Sequence, residues 1–363
     1  MEIFILNSIL YTAQNNIIPQ VDSIKDCLMY NVALGFKSLG HNVTLIASED
    51  YKPEKNEEYD VNVLFMRSVL KRIFLPSVLP LSLKTWHFLQ KNRKKVDLII
   101  SSEVFAFPSL FAALIIPKKT IVWHELALHQ RKMQGIPSHF WYNIIAKLCF
   151  RKTLIVSRSQ DAKKFIEKYT SRVSDAIVEH GINLAKFEFS YAKRQQFIVI
   201  AQLIPRKNID SILKKFARFV SKKEFADYKL IIAGRGELEN ELKRQAIELN
   251  INDNVDFVGF KMHEELNQLI SESQALLINT KQDNNMVSIP ESVVSGTPVI
   301  TNSVPTNAYV IKGNKLGIVG DWDETDLEEI VNNNNYYTNN CILFRDNFSI
   351  LNTAKQLINA FEN

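Results

Sequence analysis

Cysteine is scarce in this 363-residue chain: Cys27, Cys149 and Cys341 stand far apart, with no CxxC pair and no histidine-rich neighbourhood. That pattern argues against a disulfide framework and a thiolate zinc site, and reads as reduced, buried thiols in a cytoplasmic protein. No uninterrupted apolar run reaches the ~20 residues of a membrane span. The opening MEIFILNSIL has Glu2 and no basic lead, so it reads as a first strand and not as a signal peptide. The full GxGxxG fingerprint is also missing, which counts against a dehydrogenase. Acid is absent locally: no Asp or Glu lies between Val61 and Val96.

That acid-free stretch holds Arg67, Lys71, Arg72, Lys84, Lys91, Arg93, Lys94 and Lys95 among Phe74, Leu75, Leu79, Trp86 and Phe88. Cations beside an apolar face suit an anionic lipid surface, which would make 67–95 a peripheral membrane contact on the inner face of the cell membrane. A helix with a solvated basic side and a core side explains the same residues, and both readings stand. The net charge of +5 is modest, and nucleic acid is not among the expected partners.

What is present is the makings of two folded domains, with 46% hydrophobic and 23% charged residues. Short apolar runs alternate with helix-period segments, the pattern of parallel sheets with crossover helices. EIFILNS, NVTLIAS, VNVLFM, DLIISS, KTIVWHE, TLIVS and DAIVEH read as strands in the first half, with helices such as Ser23 to Leu39 and Pro137 to Phe150 between them. QFIVIAQL, YKLIIAG, VDFVGF, QALLIN and TPVITN repeat the theme. Their helices are expected near Asp210–Ser221, Glu237–Leu249, His263–Ser271 and Pro290–Ser295, and the Asn-rich Asn332 to Asn340 reads as a helix end and loop. The expected fold is therefore α/β, with two Rossmann-like doubly wound domains facing an interdomain cleft. Their expected bounds are 1–185 and 186–345, with a helix in 346–363 packing back towards the first domain.

The chemistry-bearing residues concentrate after the strands. Arg206 and Lys207 follow FIVIAQL and precede a helix start, where two cations and helical N–H groups favour an anion. An Arg-Lys pair taken alone is what any solvated helix start shows; its context gives it another meaning. Asp283 and Glu291, seven residues apart, flank a loop whose N–H groups at Met286, Val287 and Ser288 suit phosphate or sugar oxygens. Pro290 is expected at the first helical position and Glu291 in the first turn, where a carboxylate is also simply stabilising. Gly234 and Gly236 permit a close backbone approach, to a ligand or within a plain tight turn. His124 and Glu125 end the strand KTIVW, where a histidine can meet a substrate hydroxyl or stand as a structural residue. His129, Arg131 and Lys132 follow in the same loop as candidates for an anionic acceptor.

In their order, AQLIPRKNID, LIIAGRGELE, VDFVGF and DNNMVSIPESVVSGTPVIT, preceded by VSRSQDAKKFI and HGINLAKF, resemble the retaining, GT-B-fold glycosyltransferases of family 4. The resemblance covers the second domain well and the first more loosely. It implies a catalytic set of His124, Arg206, Lys207 and Asp283. Arg206 and Lys207 would bind the donor diphosphate, Asp283 the donor-sugar hydroxyls and Glu291 the donor ribose. Phe260 and Lys261 fall where backbone groups read the nucleobase, and Gly234, Met286, Val287 and Ser288 complete the implied donor site. Two departures from the pattern are plain. TAQNNIIPQVDSI lacks the usual glycine pair, which leaves Asp22 and Ser23 as acceptor-facing candidates, and Asn284, Asn285 and Met286 replace Gly-Phe-Gly.

The resemblance implies a metal-independent hexosyltransferase that moves a sugar from a nucleoside-diphosphate donor, UDP favoured over GDP, to a glycan or lipid-linked acceptor. No cofactor is expected beyond that donor. A nucleotide-sugar epimerase of the same fold, or an inactive binding subunit, are the alternatives.

Overall fold

The computed structural model describes the chain except for residues 12–17, 20, 131–134, 262 and 284. It divides into two units, Met1–Gly181 together with Ile350–Asn363, and Ile182–Ser349.

In the first unit seven parallel strands follow the seven apolar runs: β1 (Glu2–Leu6), β2 (Asn42–Ser48), β3 (Asn62–Met66), β4 (Leu98–Ser102), β5 (Thr120–His124), β6 (Leu154–Ser157) and β7 (Val173–Ile177). Their spatial order is β3-β2-β1-β4-β5-β6-β7. Strands covered on both faces need apolar side chains at successive positions, and β1 and β4 meet this with Ile3, Phe4, Ile5 and Leu6 beside Leu98, Ile99 and Ile100. One face packs Ile3, Ile5, Ile100 and Trp123 with Tyr30 and Phe36 of helix Leu28–Ser38. The other packs Phe4, Leu6 and Ile99 with Leu89 and Phe111. Helix Ile350–Glu362 adds Ala354 and Leu357 to the first of these layers. It comes so near that a Cβ on Gly35 would stand 2.4 Å from the Ile350 carbonyl oxygen.

The second unit has six parallel strands in the order β10-β9-β8-β11-β12-β13. They are β8 (Gln196–Ile200), β9 (Lys229–Ala233), β10 (Val255–Gly259), β11 (Leu276–Ile278), β12 (Val299–Thr301) and β13 (Gly317–Val319). Phe197, Phe216 and Phe219 anchor one face, and Ile198, Leu276 and Val293 the other.

Some sequence expectations need correction. Strand β13 is only three residues long, starting at Gly317 and followed by Gly320, too short to show a period. The Asn-rich segment forms helix Asn334–Phe344, because Asn334, Thr338 and Cys341 recur on one buried face. The run from Pro137 does not form one regular helix: it is helix Ile136–Phe140, a π-type turn Trp141–Ala146 and a last turn Lys147–Cys149. Helix Leu28–Ser38 starts later than Ser23, at Cys27, whose sulfur accepts the Tyr30 N–H. Of the basic stretch, helix Leu83–Asn92 turns Leu89 inward, sets Trp86 edge-on against Phe111 and leaves Lys84 and Lys91 exposed.

In each sheet the strand order reverses once, between β1 and β4 and between β8 and β11. Open parallel sheets bind ligands at the carboxyl ends of the strands flanking such a reversal.

Leu357 is fully buried and Leu343 is exposed. Leu357→Ala should cost about 2–5 kcal/mol in denaturant unfolding. Leu343→Ala should stay within about 0.5 kcal/mol of the parent. Equal effects would show that the helix Ile350–Glu362 contributes no core.

Candidate functional site

At the reversal in the second unit, the loops after β8 and β11 meet. Pro205–Lys207 forms a single 3-10 turn, and Asn208, in the left-handed region at φ 54°, redirects the chain into helix Ile209–Val220. The Lys207 ammonium pairs with Asp283 Oδ2, and Arg206 Nη1 lies 3.1 Å from the same oxygen. Arg206 also donates to the Gln282 carbonyl at 3.1 Å. Thr280 Oγ1 ties the two loops together through the Arg206 carbonyl at 3.0 Å. Side-chain exposure is 11% for Lys207, 14% for Asp283 and 41% for Arg206. The cluster therefore keeps one net positive charge in a partly desolvated place, with the Arg206 guanidinium open to a ligand.

Glu291 lies in helix Ser288–Val294, and its burial raises the carboxyl from 4.5 to about 7. Pro290 is the third residue of that helix, not the first, because the turn closes earlier at Ser288. Met286 is clamped by Asn307, which accepts the Met286 N–H at 3.2 Å and donates to its carbonyl at 3.0 Å. That N–H is thus already used and is not open to phosphate, a correction to the expectation for this loop. Val287 is half-exposed and Ser288 buried. Phe260 stands exposed after β10, and Lys261 pairs with Glu265 at 3.0 Å. Gly234 has a packing reason: a Cβ there would lie 1.8 Å from the Ala201 carbonyl oxygen, and one at Gly236 would lie 2.3 Å from that of Leu203. The close approach is between the chain's own loops.

At the reversal in the first unit a cavity of about 520 Å³ opens beside the ends of β1 and β4. Glu103, Glu125, Arg158 and His180 supply its charge, against Leu10, Met29, Val78 and Phe105. Arg158 is buried, its guanidinium 3.9 Å from the Trp123 ring centre and 2.8 Å from Glu125 Oε2. His180 Nε2 lies 3.5 Å from the same carboxylate. Burial alone would raise the Glu125 carboxyl, but His180 and Arg158 outweigh it and hold the group well below the usual carboxylate range. Burial and the Arg158 charge hold the His180 imidazole below its ordinary pKa. Its Nδ1 is buried without a hydrogen-bond partner among the described residues. Glu103, in the left-handed region at φ 68°, accepts the Glu125 N–H at 2.9 Å and shapes the loop after β5.

Several expected contacts fall elsewhere. His124 is fully buried, with Nδ1 2.9 Å from Glu103 Oε2 and its ring stacked on Phe165. It does not line the cavity; Glu103 and Glu125 do. The strand's alternation explains this, since consecutive side chains point to opposite faces. His129 has both ring nitrogens engaged, 3.2 Å from Ser138 Oγ and 3.0 Å from Tyr169 Oη, so it braces an aromatic cluster. Ser23 donates to Glu57, Asp22 is exposed, and neither lines the cavity. Arg131 and Lys132, and most of the glycine-free loop, lie outside the described residues. The sequence reading missed Glu103, Arg158, His180 and Asn307. The first three each stand one to three residues past a strand end, a position that alone was signal enough.

Residues 183–340 match the family described as Glycosyl transferases group 1. The matched residues lie within the second unit, Ile182–Ser349. Over 179 residues it is 27% identical to alpha-monoglucosyldiacylglycerol synthase of Streptococcus pneumoniae, covering 45% of this chain but only 40% of that protein's length. Over 319 residues it is 20% identical to the Escherichia coli UDP-Gal:alpha-D-GlcNAc-diphosphoundecaprenol alpha-1,3-galactosyltransferase, covering 78% of this chain and 82% of that one. The structure of Anabaena HepE in complex with UDP aligns over 100% of both chains, at a TM-score of 0.66 and 13% identity, which gives the fold as GT-B.

The buried Glu291 carboxyl sets a pH dependence. Its pKa is higher folded (about 7) than unfolded (near 4.5), so the folded state holds the extra proton between those values. Stability contributed by the protonated form is then lost as pH rises through that window. Relative to Glu291→Gln, the parent should lose about 3 kcal/mol between pH 4.5 and pH 8. Parallel stability curves for the two proteins would contradict the burial of this group.

Proposed function

We propose that the protein transfers a hexosyl group, with retention, from a nucleoside-diphosphate sugar to a hydroxyl of a glycan or lipid-linked acceptor. UDP is favoured as the nucleotide, and the setting is assembly of a bacterial surface polysaccharide or glycolipid. The observation that carries this reading is the pairing of Arg206 and Lys207 with Asp283 at the strand reversal of the second unit. The family match on the same unit supports it. So do the two relatives, one named for a diacylglycerol product and the other for a UDP-sugar and a lipid diphosphate.

In this reading the second unit holds the donor. The bond from the anomeric carbon to the diphosphate oxygen breaks, and its electron pair leaves with the nucleoside diphosphate. Arg206 and Lys207 neutralise the charge that grows there, and because Asp283 already fixes them, little reorganisation is required as it grows. Asp283 and Glu291 accept hydroxyls of the donor sugar and ribose. The acceptor oxygen forms the new bond on the same face, and its proton passes to the departing phosphate oxygen. The first unit holds the acceptor through Glu125 and His180, while His124 acts through Glu103. No helix among the described residues is long and apolar enough to cross a membrane. A peripheral place on the inner face of the membrane fits the exposed cations of 67–95.

UDP should raise the melting temperature of the parent protein, as any ligand selective for the folded state does. Arg206→Ala with Lys207→Ala should abolish that shift. Lys207→Ala alone should slow UDP-sugar turnover by about 10²–10³-fold. An undiminished UDP shift in the double variant would sink the assignment, and interconversion of the donor sugar without transfer would favour an epimerase.

A further inference from the structure

We propose that the first unit binds its acceptor as an amphiphile, with the polar head in the Glu103–Glu125–Arg158–His180 cavity and a hydrocarbon stem in a separate apolar groove beside it. The inference rests on the transferase reading for the word acceptor, but the groove stands on its own geometry. A second cavity of about 230 Å³ adjoins the first, and Val78, Leu79, Phe105 and Gln130 line both. The two cavities thus share a wall, and that wall is largely hydrocarbon.

Their chemistry differs sharply. The first carries two carboxylates, a guanidinium and an imidazole. The second is bounded by Ile73, Phe74, Leu75 and Pro137, with Gln130 and Ser138 as the polar residues among those described. Ser138 Oγ is already engaged, 3.2 Å from His129 Nδ1 and 3.2 Å from the Gln130 N–H. A sugar there would lose hydration and find few partners, whereas a methylene chain loses nothing.

The outer rim points to the same class of ligand. Ile73 is 69% exposed and Leu75 40% exposed. Ile136, next to the lining residue Pro137, begins a file of exposed apolar residues at helical spacing, continued by Phe140, Ile144 and Leu148. Arg72, Lys147, Arg151 and Lys152 are exposed around these residues, so an anionic head group near the rim would meet positive charge. A freely soluble glycan would need only the first cavity. An acceptor with one polar end and one oily end uses both.

The probe is a series of n-alkyl β-glucosides from hexyl to decyl, each kept below its micelle-forming concentration and titrated calorimetrically into the full chain. Affinity should rise by about fourfold per added methylene. Val78→Trp, which fills the shared wall, should flatten the series. Ile73→Glu, at an exposed position that folding does not depend on, should weaken decyl glucoside about tenfold or more and hexyl glucoside little. Chain-length-independent binding by the parent, or an unaltered slope in both variants, overturns the proposal. The UDP-induced melting shift on the same samples separates the two readings. A shift with a flat series sinks the groove alone, and a steep series without a shift keeps the lipid site and sinks the transferase.

Discussion

Two cations held on one carboxylate are the interaction on which the chemistry proposed for the second unit depends. Unpaired, Arg206 and Lys207 would repel each other and swing towards water; paired with Asp283, they stay where the sheet reverses its strand order. The carboxylate removes part of the attraction for a diphosphate but also fixes where the remaining charge sits. For a leaving group that becomes more anionic as its bond breaks, a fixed position is worth more than raw charge. In the proposed reading the oxygen that orients the cations would also meet a sugar hydroxyl, which would join positioning and specificity in one residue.

The first unit also sets one carboxylate against two basic side chains. There a single cation, Arg158, is lodged on Trp123 and holds the Glu125 carboxylate, while His180 approaches from the other side. The arrangement presents an ionised acceptor of hydrogen bonds in a cavity of mixed polarity, which suits the hydroxyl recognition proposed for it. Glu103 has the quieter task of holding the loop in place through the Glu125 N–H and the buried His124.

Much of this was legible from residue order. Strands β1 to β12 follow runs such as EIFIL and KLIIA, because strands covered on both faces leave few polar positions to confuse the pattern. β13 escaped because three residues carry no period, and helix Asn334–Phe344 escaped because asparagine composition hid a buried face. Arg206, Lys207 and Asp283 were named from their neighbours and meet in space. His124 was named from its place at a strand end, yet its side chain turns to the interior, and the residue after it lines the cavity. Sequence position locates the rim of a parallel sheet, but the pleat decides which of two adjacent residues is wetted. Gly234 was open to two readings, and the close approach it permits is to the Ala201 backbone.

The helix Ile350–Glu362 belongs to the first unit although the whole of Ile182–Ser349 precedes it in the chain. Synthesis therefore releases a contiguous second unit while the first is still short of the segment that covers Gly35 and supplies Ala354 and Leu357. During that interval the side of the first unit facing Tyr30 and Phe36 is open to water and to chaperones. By connectivity alone, the first unit cannot be completed until Ile350–Asn363 has been made, after the whole of the second.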